Sequence, residues 1–237
     1  MKSNTYLTAA VILAAGLILS GYFIGNFFVK AKKYDRSVVV KGLAEKEVLA
    51  DLAIWPMKFT EASNDLTEIE KNINAKSGVV IDFLKEKGFT DDEISKGLPA
   101  IMDAMANPYA NQGQPAVNRY TGSFDITVRT TDIPKLKTAM EDITRLIGKG
   151  IVIGQANYWQ QVEYLYTSLN DIKPGMIEEA TKNARQAADK FAVDSNSKVG
   201  KIKTASQGLF SISDRDMNSA HIKKVRVVTT IEFFLED

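Results

Sequence analysis

The amino-acid sequence predicts an α+β fold in which helices pack on a mixed or antiparallel sheet, preceded by one N-terminal transmembrane helix. Three observations lead to this fold class. Residues 124–130 alternate apolar and polar side chains, as a half-buried strand does. Residues 61–88 repeat apolar side chains at helical spacing. Residues 6–29 carry no charge, which is typical of a membrane span.

The composition is that of a globular chain, and its charge argues against nucleic acid as a partner. Hydrophobic residues make up 45% of the 237 positions and charged residues 25%. Residues 1–36 hold five Lys or Arg and one Asp, which leaves 25 basic and 28 acidic residues from position 37 onward. A mildly acidic body without a stripe of cations lacks the electrostatic footprint of a phosphate-binding protein.

The N-terminal apolar segment is predicted to be an uncleaved membrane anchor. Residues 6–29 are 24 residues without a charge, long enough as a helix to cross a hydrocarbon core of about 30 Å. A secretory signal has a shorter apolar run and small residues at a cleavage site. The candidate cleavage site at residues 14–16 comes too early, so the cleaved signal is the less favoured alternative. Residues 1–36 therefore form an anchor or signal sequence with a basic juxtamembrane segment.

The charges that flank this segment leave its orientation open. Lys2 lies before the segment, whereas Lys30, Lys32, Lys33 and Arg36 follow it. Read literally, the positive-inside rule keeps the body of the chain in the cytoplasm. A short N-terminal flank before a large domain is also the layout of a signal anchor that exports the domain. Charge alone does not choose between the two sides.

The first part of the body is predicted to contain strands followed by a long helix. Residues 37–60 alternate and contain many β-branched side chains, which favours two strands or one long bent strand. Pro56 predicts that the second half is an edge or bulged strand, because proline cannot donate a ladder hydrogen bond. The helix over residues 61–88 has its apolar side chains near helical spacing: Leu66, Ile69, Ile73, Val80 and Leu84.

Two helices carry recognisable end signals. Gly88 fits a C-terminal cap of the first helix, because glycine adopts the left-handed conformation that such caps require. A second helix over residues 131–150 has Thr131 or Asp132 as its N-cap and Pro134 in its first turn. These signals fix where the two helices begin or end.

The order of elements suggests a ferredoxin-like arrangement. Residues 93–106 and 117–130 read as a strand pair joined by a loop rich in Asn, Gln, Gly and Pro, and residues 151–169 read as a further strand. From residue 48 to residue 168 the predicted order is therefore βαββαβ, the split βαβ arrangement. A further helix and two strands, over residues 201–212 and 223–236, end the chain. No convincing linker divides residues 37–237, which we expect to form one domain.

The further helix, over residues 177–192, is predicted to pack closely against a neighbour. Alanines at positions 180, 184, 187, 188 and 192 recur at spacings of three and four, which places most of them on one face. Such small side chains bury little area individually but allow a close approach. We expect Met176 and Phe191 to fill the two ends of this face. On the solvated side, Glu178 with Lys182 and Arg185 with Asp189 have i, i+4 spacing.

The sequence predicts no catalytic, cofactor-binding or metal-binding residues. His221 is the only histidine and there is no cysteine, so the chain alone cannot build a triad, an HExxH zinc site or a thiolate site. The G-x-S-x-G motif of serine hydrolases does not occur. We interpret His221 as a loop or strand-start residue and the protein as non-enzymatic.

Two acidic clusters resemble metal loops only in part. Asp214, Asp216 and Asn218 alternate like the first half of a calcium loop, but Ser219 replaces the required glycine and Val225 the bidentate glutamate. Another cluster, at residues 91–93, has no histidine or fourth carboxylate near it in sequence. Both are interpreted as ordinary loop and cap residues.

Aromatic side chains concentrate in one segment. Tyr158, Tyr164 and Tyr166 share one face of the strand predicted there, and Trp159 points to the other face. A stripe of this kind is more often core or interface than a ligand platform, since Tyr and Trp are favoured at protein interfaces.

Four segments resemble the SIMPL-domain family: VVVKGLAEKEVLADLAIW at residues 38–55, NRYTGSFDITVRTTDIPKLKTAMEDITRLIGKGIVI at 118–153, EEATKNARQAADKFAVDSNSKVGKI at 178–202 and VRVVTTIEFFLED at 225–237. Family members often have Pro-Asp after the first strand, where this chain has Ala50-Asp51. The resemblance implies an α+β fold, export across the bacterial inner membrane and a tendency to assemble. It brings no catalytic residues, because the family has none that are accepted.

Together these observations predict a single-pass inner-membrane protein with its C-terminal domain in the periplasm. We expect it to act as an assembly or interaction module of the cell envelope and to form a homo-oligomer, without nucleic acid or cofactor. The expected contacts are strand edges, aromatic faces and the loop near residues 107–118. The alternative is an envelope protein that binds a small molecule or lipid in an apolar pocket between helices and sheet.

Overall fold

The computed structural model describes residues 13–27, 36–106, 118–154 and 161–236. These residues form two compact units. The terminal unit comprises residues 1–46, 170–211 and 225–237, and the central unit comprises residues 47–169 and 212–224. Each unit combines segments that are distant in sequence, so no single linker separates them. Both contain an antiparallel sheet and helices, which confirms the predicted α+β class.

The elements follow one another in an order close to the predicted one. A helix, α1, occupies residues 13–27, and a short 3-10 turn occupies Asp91–Glu93. The remaining elements are β1 (Ser37–Leu49), β2 (Leu52–Ser63), α2 (Leu66–Glu86), β3 (Ile94–Lys96), β4 (Ala100–Asp103), β5 (Tyr120–Thr130), α3 (Ile133–Glu141), α4 (Thr144–Ile147), β6 (Glu163–Leu165), α5 (Leu169–Asp194), β7 (Lys198–Gln207), β8 (Ser211–Asp214) and β9 (Ile222–Glu236).

Only part of the predicted membrane span is described. Within the span predicted at residues 6–29, α1 covers residues 13–27, and the remaining residues of the segment lie outside the described ranges. No helix in the described ranges is both long enough and apolar enough to cross a membrane.

In the terminal unit, the alanine face of α5 packs on a sheet of order β1-β9-β7. Ala184 and Ala188 are fully buried in one cluster with Val40, Ile231 and Phe233. The approach is close enough to require glycine in β1, because a Cβ atom on Gly42 would lie 1.8 Å from the Ala180 carbonyl oxygen. The prediction of a tightly packed alanine face is therefore confirmed.

One detail predicted for this helix is wrong. Phe191 is 60% exposed and does not fill an end of the packed face, whereas Met176 is buried as expected. The Arg185 guanidinium lies 4.9 Å from the centre of the Phe233 ring, a favourable contact for a cation. The helix also begins well before residue 177 and includes Pro174.

In the central unit, α2 packs on an antiparallel sheet of order β3-β5-β2-β6, in which β4 also pairs with β5. The β2 and β5 strands pair continuously from Ala53 opposite Thr130 to Ser63 opposite Tyr120. Alternate side chains of both strands enter one core with the apolar face of α2. Its largest fully buried members are Met57, Phe59, Ile69, Ile73, Leu84, Ile126, Leu136, Leu146 and Ile151.

The predicted helix ends are confirmed. Gly88 follows α2 with φ of +86°, in the left-handed region expected of a C-terminal glycine. Asp132 is the N-cap of α3, and its carboxylate accepts a hydrogen bond of 2.9 Å from the Lys135 backbone N–H. Pro134 lies in the first turn of α3, where a missing N–H costs no helical hydrogen bond.

Some strand boundaries differ from the prediction. The strand predicted over residues 151–169 is reduced to β6 in the described residues, with a bridge between Gly154 and Lys58. The β6 strand pairs with β2 only at Leu52–Ile54, so Pro56 lies beyond this pairing. The segment predicted as one strand over residues 93–106 divides into β3 and β4, because Gly97, Leu98 and Pro99 interrupt it.

Candidate functional site

Exposed apolar side chains gather around β4 in the central unit. Leu98 is 88% exposed, Ile101 46%, Met102 63% and Met105 73%. Isolated apolar residues at a surface need no explanation, but several within one short segment make a candidate interaction surface. We refer to Leu98, Pro99, Ile101, Met102 and Met105 together as the β4 edge surface.

The β4 edge surface lies at the border of the central sheet. The β3 and β4 strands both pair with the same side of β5, and Pro99 lies between them. Among the described residues β4 pairs with β5 alone, so its other side is an unpaired edge. An unpaired edge offers backbone hydrogen-bonding groups to another strand.

Glycine in β5 brings α2 close to this edge. Gly122 lies opposite Ile101, and a Cβ atom built on it would lie 2.7 Å from Ile69 Cγ2 and 2.8 Å from Ile73 Cδ1. The helix therefore rests almost directly on the backbone of β5 at this point. Ile101, opposite Gly122, therefore lies near the first turns of α2 at the rim of the sheet.

A shallow cavity separates the first turns of α2 from the segment at Pro99 and Ile101. Its volume is about 260 Å³, slightly below the range of about 300 to 1,000 Å³ typical of small-molecule pockets. The helix α2 contributes both apolar and polar residues to the lining, among them Ile73, Glu70 and Asn74. The lining residues are Leu66, Thr67, Glu70, Ile73, Asn74, Pro99 and Ile101. The cavity has room for an inserted apolar side chain.

Charged and aromatic contacts hold the chain that follows β4. The Arg119 guanidinium lies 3.0 Å from the Asp103 carboxylate and 4.8 Å from the centre of the Tyr120 ring. Asp103 also accepts a hydrogen bond of 2.9 Å from the Met105 backbone N–H. The hydrogen bond from Arg119 lowers the pKa of Asp103, so the carboxylate is ionised at neutral pH. These contacts hold the chain in place where it leaves β4.

His221 lies in the turn before β9 and packs against Tyr164. The two ring centres are 6.1 Å apart in an edge-to-face arrangement, and the His221 carbonyl accepts a hydrogen bond of 2.8 Å from the Ala50 N–H. Burial lowers the pKa of His221, and the nearby positive charges of Lys137 and Arg215 lower it further. Burial raises the pKa of Tyr164. Both side chains are therefore neutral at pH 7 and act as packing groups.

Tyr166 is half-buried, whereas Tyr158 and Trp159 lie outside the described residues. The predicted aromatic stripe is thus described only at Tyr164 and Tyr166.

The carboxylates of the calcium-like segment are engaged by cations. Asp214 pairs with Lys223, and Asp216 lies 2.9 Å from Arg215 Nε and accepts a hydrogen bond from the Asn218 N–H. In the part of the chain that the structure describes, no group of three or more His, Asp or Glu side chains is arranged to hold a metal ion. The segment is a turn closed by its own ion pairs.

Asp51, beside the Ala50 that departs from the family's Pro-Asp, has a structural role. Its carboxylate accepts hydrogen bonds of 2.7 Å from the Thr167 N–H, 3.0 Å from the Thr167 hydroxyl and 2.8 Å from the Ser168 N–H. Burial raises the pKa of Asp51, but these hydrogen bonds outweigh burial and lower it. The negative charge thus satisfies two backbone donors just before α5 begins.

The β4 edge surface was not predicted as a surface. The sequence predicts only that residues 93–106 form one strand of a pair, and the sheet order is needed to show that β4 pairs with β5 alone among the described residues. The available signal is the number of apolar side chains between Pro99 and the Asn-rich loop.

Comparison with known protein families matches most of the chain to one family. Residues 38–232 match the family described as SIMPL, a protein of unknown function (DUF541). The match runs from the second residue of β1 to Glu232 in β9 and so includes both units. No curated protein matches the chain.

Proposed function

Because the chain belongs to the SIMPL family, as its sequence segments predicted, we propose that it is a non-enzymatic assembly module of the bacterial cell envelope. In this proposal residues 6–29 anchor the chain in the inner membrane and the body lies in the periplasm. The β4 edge surface carries the proposal, because it combines several exposed apolar side chains with a strand edge that no other described strand pairs.

The proposed partners are the inner membrane and further copies of the same chain. The uncharged run of 24 residues supports the membrane contact. The exposed apolar side chains support protein contacts, since an interface core is depleted in charge and enriched in apolar groups such as Met. The mildly acidic body gives no support to nucleic-acid binding.

We also propose the ferredoxin-like order for the central unit. The sheet order β3-β5-β2-β6 supports this proposal, because the first and third strands of a βαββαβ unit would lie at its centre and the neighbouring strands are antiparallel. The short β4 strand then extends the outer position that β3 occupies. On this assignment the unpaired edge of β4 lies at the outer border of the unit.

The alternative function is binding of a small molecule or lipid in the envelope. The cavity of about 260 Å³ beside α2 favours it, because Leu66, Ile73 and Ile101 provide an apolar wall. The cavity is shallow, however, and buries too little for the acyl chain of a lipid. Assembly therefore accounts better for the exposed residues.

The size of the full chain in detergent distinguishes the two functions. Assembly predicts a discrete oligomer whose protein mass is a multiple of 26.2 kDa. Binding of a lipid predicts a monomer that retains lipid through purification, detected by mass spectrometry of an organic extract. A monomer without lipid would contradict both assembly and lipid binding.

The orientation is tested with single cysteines, which the natural chain lacks. Met217 is 99% exposed, so Met217→Cys should react with a membrane-impermeant maleimide in cells whose outer membrane has been permeabilised. Ser3→Cys, on the other side of the anchor, should react only after the inner membrane is disrupted. The reverse pattern would place the body of the chain in the cytoplasm.

A further inference from the structure

The backbone of β4 points its hydrogen-bonding groups in two directions. The Ala104 N–H donates a hydrogen bond of 2.8 Å to the Arg119 carbonyl, in register with the pairing of β4 and β5. Because hydrogen-bonded pairs alternate in an antiparallel ladder, Ala100 and Met102 also face β5. Ile101 and Asp103 therefore direct their backbone groups away from the sheet, and Pro99, just before β4, has no N–H to direct.

We propose that β4 pairs with β4 of a second copy of this chain, antiparallel and around a two-fold axis at Ile101. This inference rests on the proposed assembly function and names its contact. In this register Ile101 lies opposite Ile101 of the second copy, and Asp103 lies opposite Pro99. The two central sheets join into one sheet that continues across the axis.

The hydrogen-bonding groups of this edge are matched in that register. The Ile101 N–H and carbonyl of each copy meet the carbonyl and N–H of the other. Pro99 has no N–H to offer, and the Asp103 carbonyl already accepts a hydrogen bond of 3.1 Å from the Ala106 N–H within its own chain. The remaining groups are the Asp103 N–H of one copy and the Pro99 carbonyl of the other, and in this register the N–H donates to the carbonyl. About four hydrogen bonds form and no outward group of these residues lacks a partner.

The side chains at this edge are compatible with a two-fold contact. The Asp103 carboxylate already pairs with Arg119 of its own chain and would face an uncharged Pro99, so no like charges meet. Lysine, the usual protection of a sheet edge, occurs in β3 at Lys96 but not in β4. The two Ile101 side chains meet on the side of the sheet where the cavity beside α2 opens, so each extends the apolar wall of the cavity.

A pair of cysteine variants tests the register. In a hydrogen-bonded antiparallel pair the two Cα atoms are about 5.5 Å apart, within the range of about 4.4 to 6.8 Å that a disulfide bridges. Ile101→Cys in the full chain should therefore form a disulfide dimer under mild oxidation. Met102→Cys is the matched control, because the two copies of residue 102 are diagonal neighbours about 7 to 8 Å apart. We expect at least about tenfold less dimer for the control, measured on a non-reducing gel.

The outcomes separate the register from the assembly function. Equal cross-linking of both variants, or none with Ile101→Cys in a protein that is still oligomeric, would overturn the register and leave assembly standing. A monomeric wild-type chain would overturn both. Cross-linking in cells could also give a product whose mass differs from twice the 26.2 kDa of the chain. Such a product would mean that another protein covers the edge, which also overturns the proposal.

Discussion

At the scale of single residues, Glu93 shows how an acidic cluster that resembles a site can stabilise the fold. Its carboxylate accepts hydrogen bonds from the Thr130 hydroxyl, from the Thr90 N–H at 2.9 Å and from Lys135 Nζ at 3.0 Å. Lys135 Nζ also lies 4.7 Å from the centre of the Phe89 ring. Burial raises the pKa of Glu93, but the hydrogen bonds outweigh burial and lower the pKa from 4.5 to about 2.

This pKa predicts an acid-dependent contribution to stability. The folded protein holds the proton more weakly than the unfolded chain, so the contribution is full above about pH 4.5 and is lost as the pH falls toward 2. Glu93→Gln should lower the free energy of unfolding at pH 7 by about 1 to 3 kcal/mol. Urea unfolding at pH 7, 5 and 3 should show the difference from wild type shrinking at acid pH.

The matched control for Glu93 is Asp92→Asn, because Asp92 is an exposed member of the same turn. Its effect should stay within about 0.5 kcal/mol at every pH. A difference between wild type and Glu93→Gln that is constant from pH 7 to pH 3 would show that the charge of Glu93 is not what stabilises this turn.

Residue-level prediction from the sequence succeeded where the physics is local. The Gly88 cap and the Asp132 N-cap depend only on neighbouring backbone atoms, and both are present. Phe191 is predicted to fill one end of the alanine face, yet it is exposed. Whether Phe191 is buried depends on which side of the last turn of α5 faces the sheet. The spacing of the alanines by three or four residues does not determine that side.

At the scale of elements, the contact between α5 and β1 is the clearest packing feature. Ala180, Ala184 and Ala188 are completely buried, and Gly42 leaves no room for a Cβ atom beside the Ala180 carbonyl. The Asn183 side-chain amide also donates a hydrogen bond of 2.8 Å to the Leu43 carbonyl. The helix therefore contacts the strand through backbone atoms as well as side chains.

Enlarging this contact should destabilise the terminal unit. Ala184→Leu should lower the free energy of unfolding by about 1 to 3 kcal/mol, because the packed interface has no cavity for the additional atoms of the leucine side chain. Gly42→Ala should be at least as harmful, since its Cβ atom overlaps backbone atoms that cannot rotate away. Urea denaturation followed by circular dichroism gives the comparison.

Gln186→Leu is the control for the α5 contact, because residue 186 is exposed on the same helix and the change adds a comparable apolar side chain. Its effect should stay within about 0.5 kcal/mol. If Ala184→Leu and Gly42→Ala were as harmless as this control, the alanine face would be exposed in solution.

At the scale of the whole molecule, the sequence indicated the α+β class and the family, but not the sheet edge. Strand order depends on contacts between residues far apart in sequence, such as Ile101 with Gly122, and alternation does not reveal them. An apolar strand residue looks the same in sequence whether it faces a core or a partner. The candidate site therefore emerges only when β4 is seen to pair on one side.

Assembly through this edge should be weakened by proline at the two-fold position. The Ile101 N–H faces away from β5, so Ile101→Pro removes no hydrogen bond within the chain, and the thermal midpoint should change little. Association should weaken by at least about tenfold, because proline can neither donate nor fit opposite another strand. The control is Ile101→Val, which keeps the N–H and a β-branched side chain and should associate like wild type.

The central claim is that the chain assembles with itself, and sedimentation of the full chain in detergent over a range of concentrations tests it most directly. We predict a wild-type protein mass that is a fixed multiple of 26.2 kDa, with Ile101→Pro sedimenting as a smaller species. A wild-type mass of one chain at every concentration would contradict the claim.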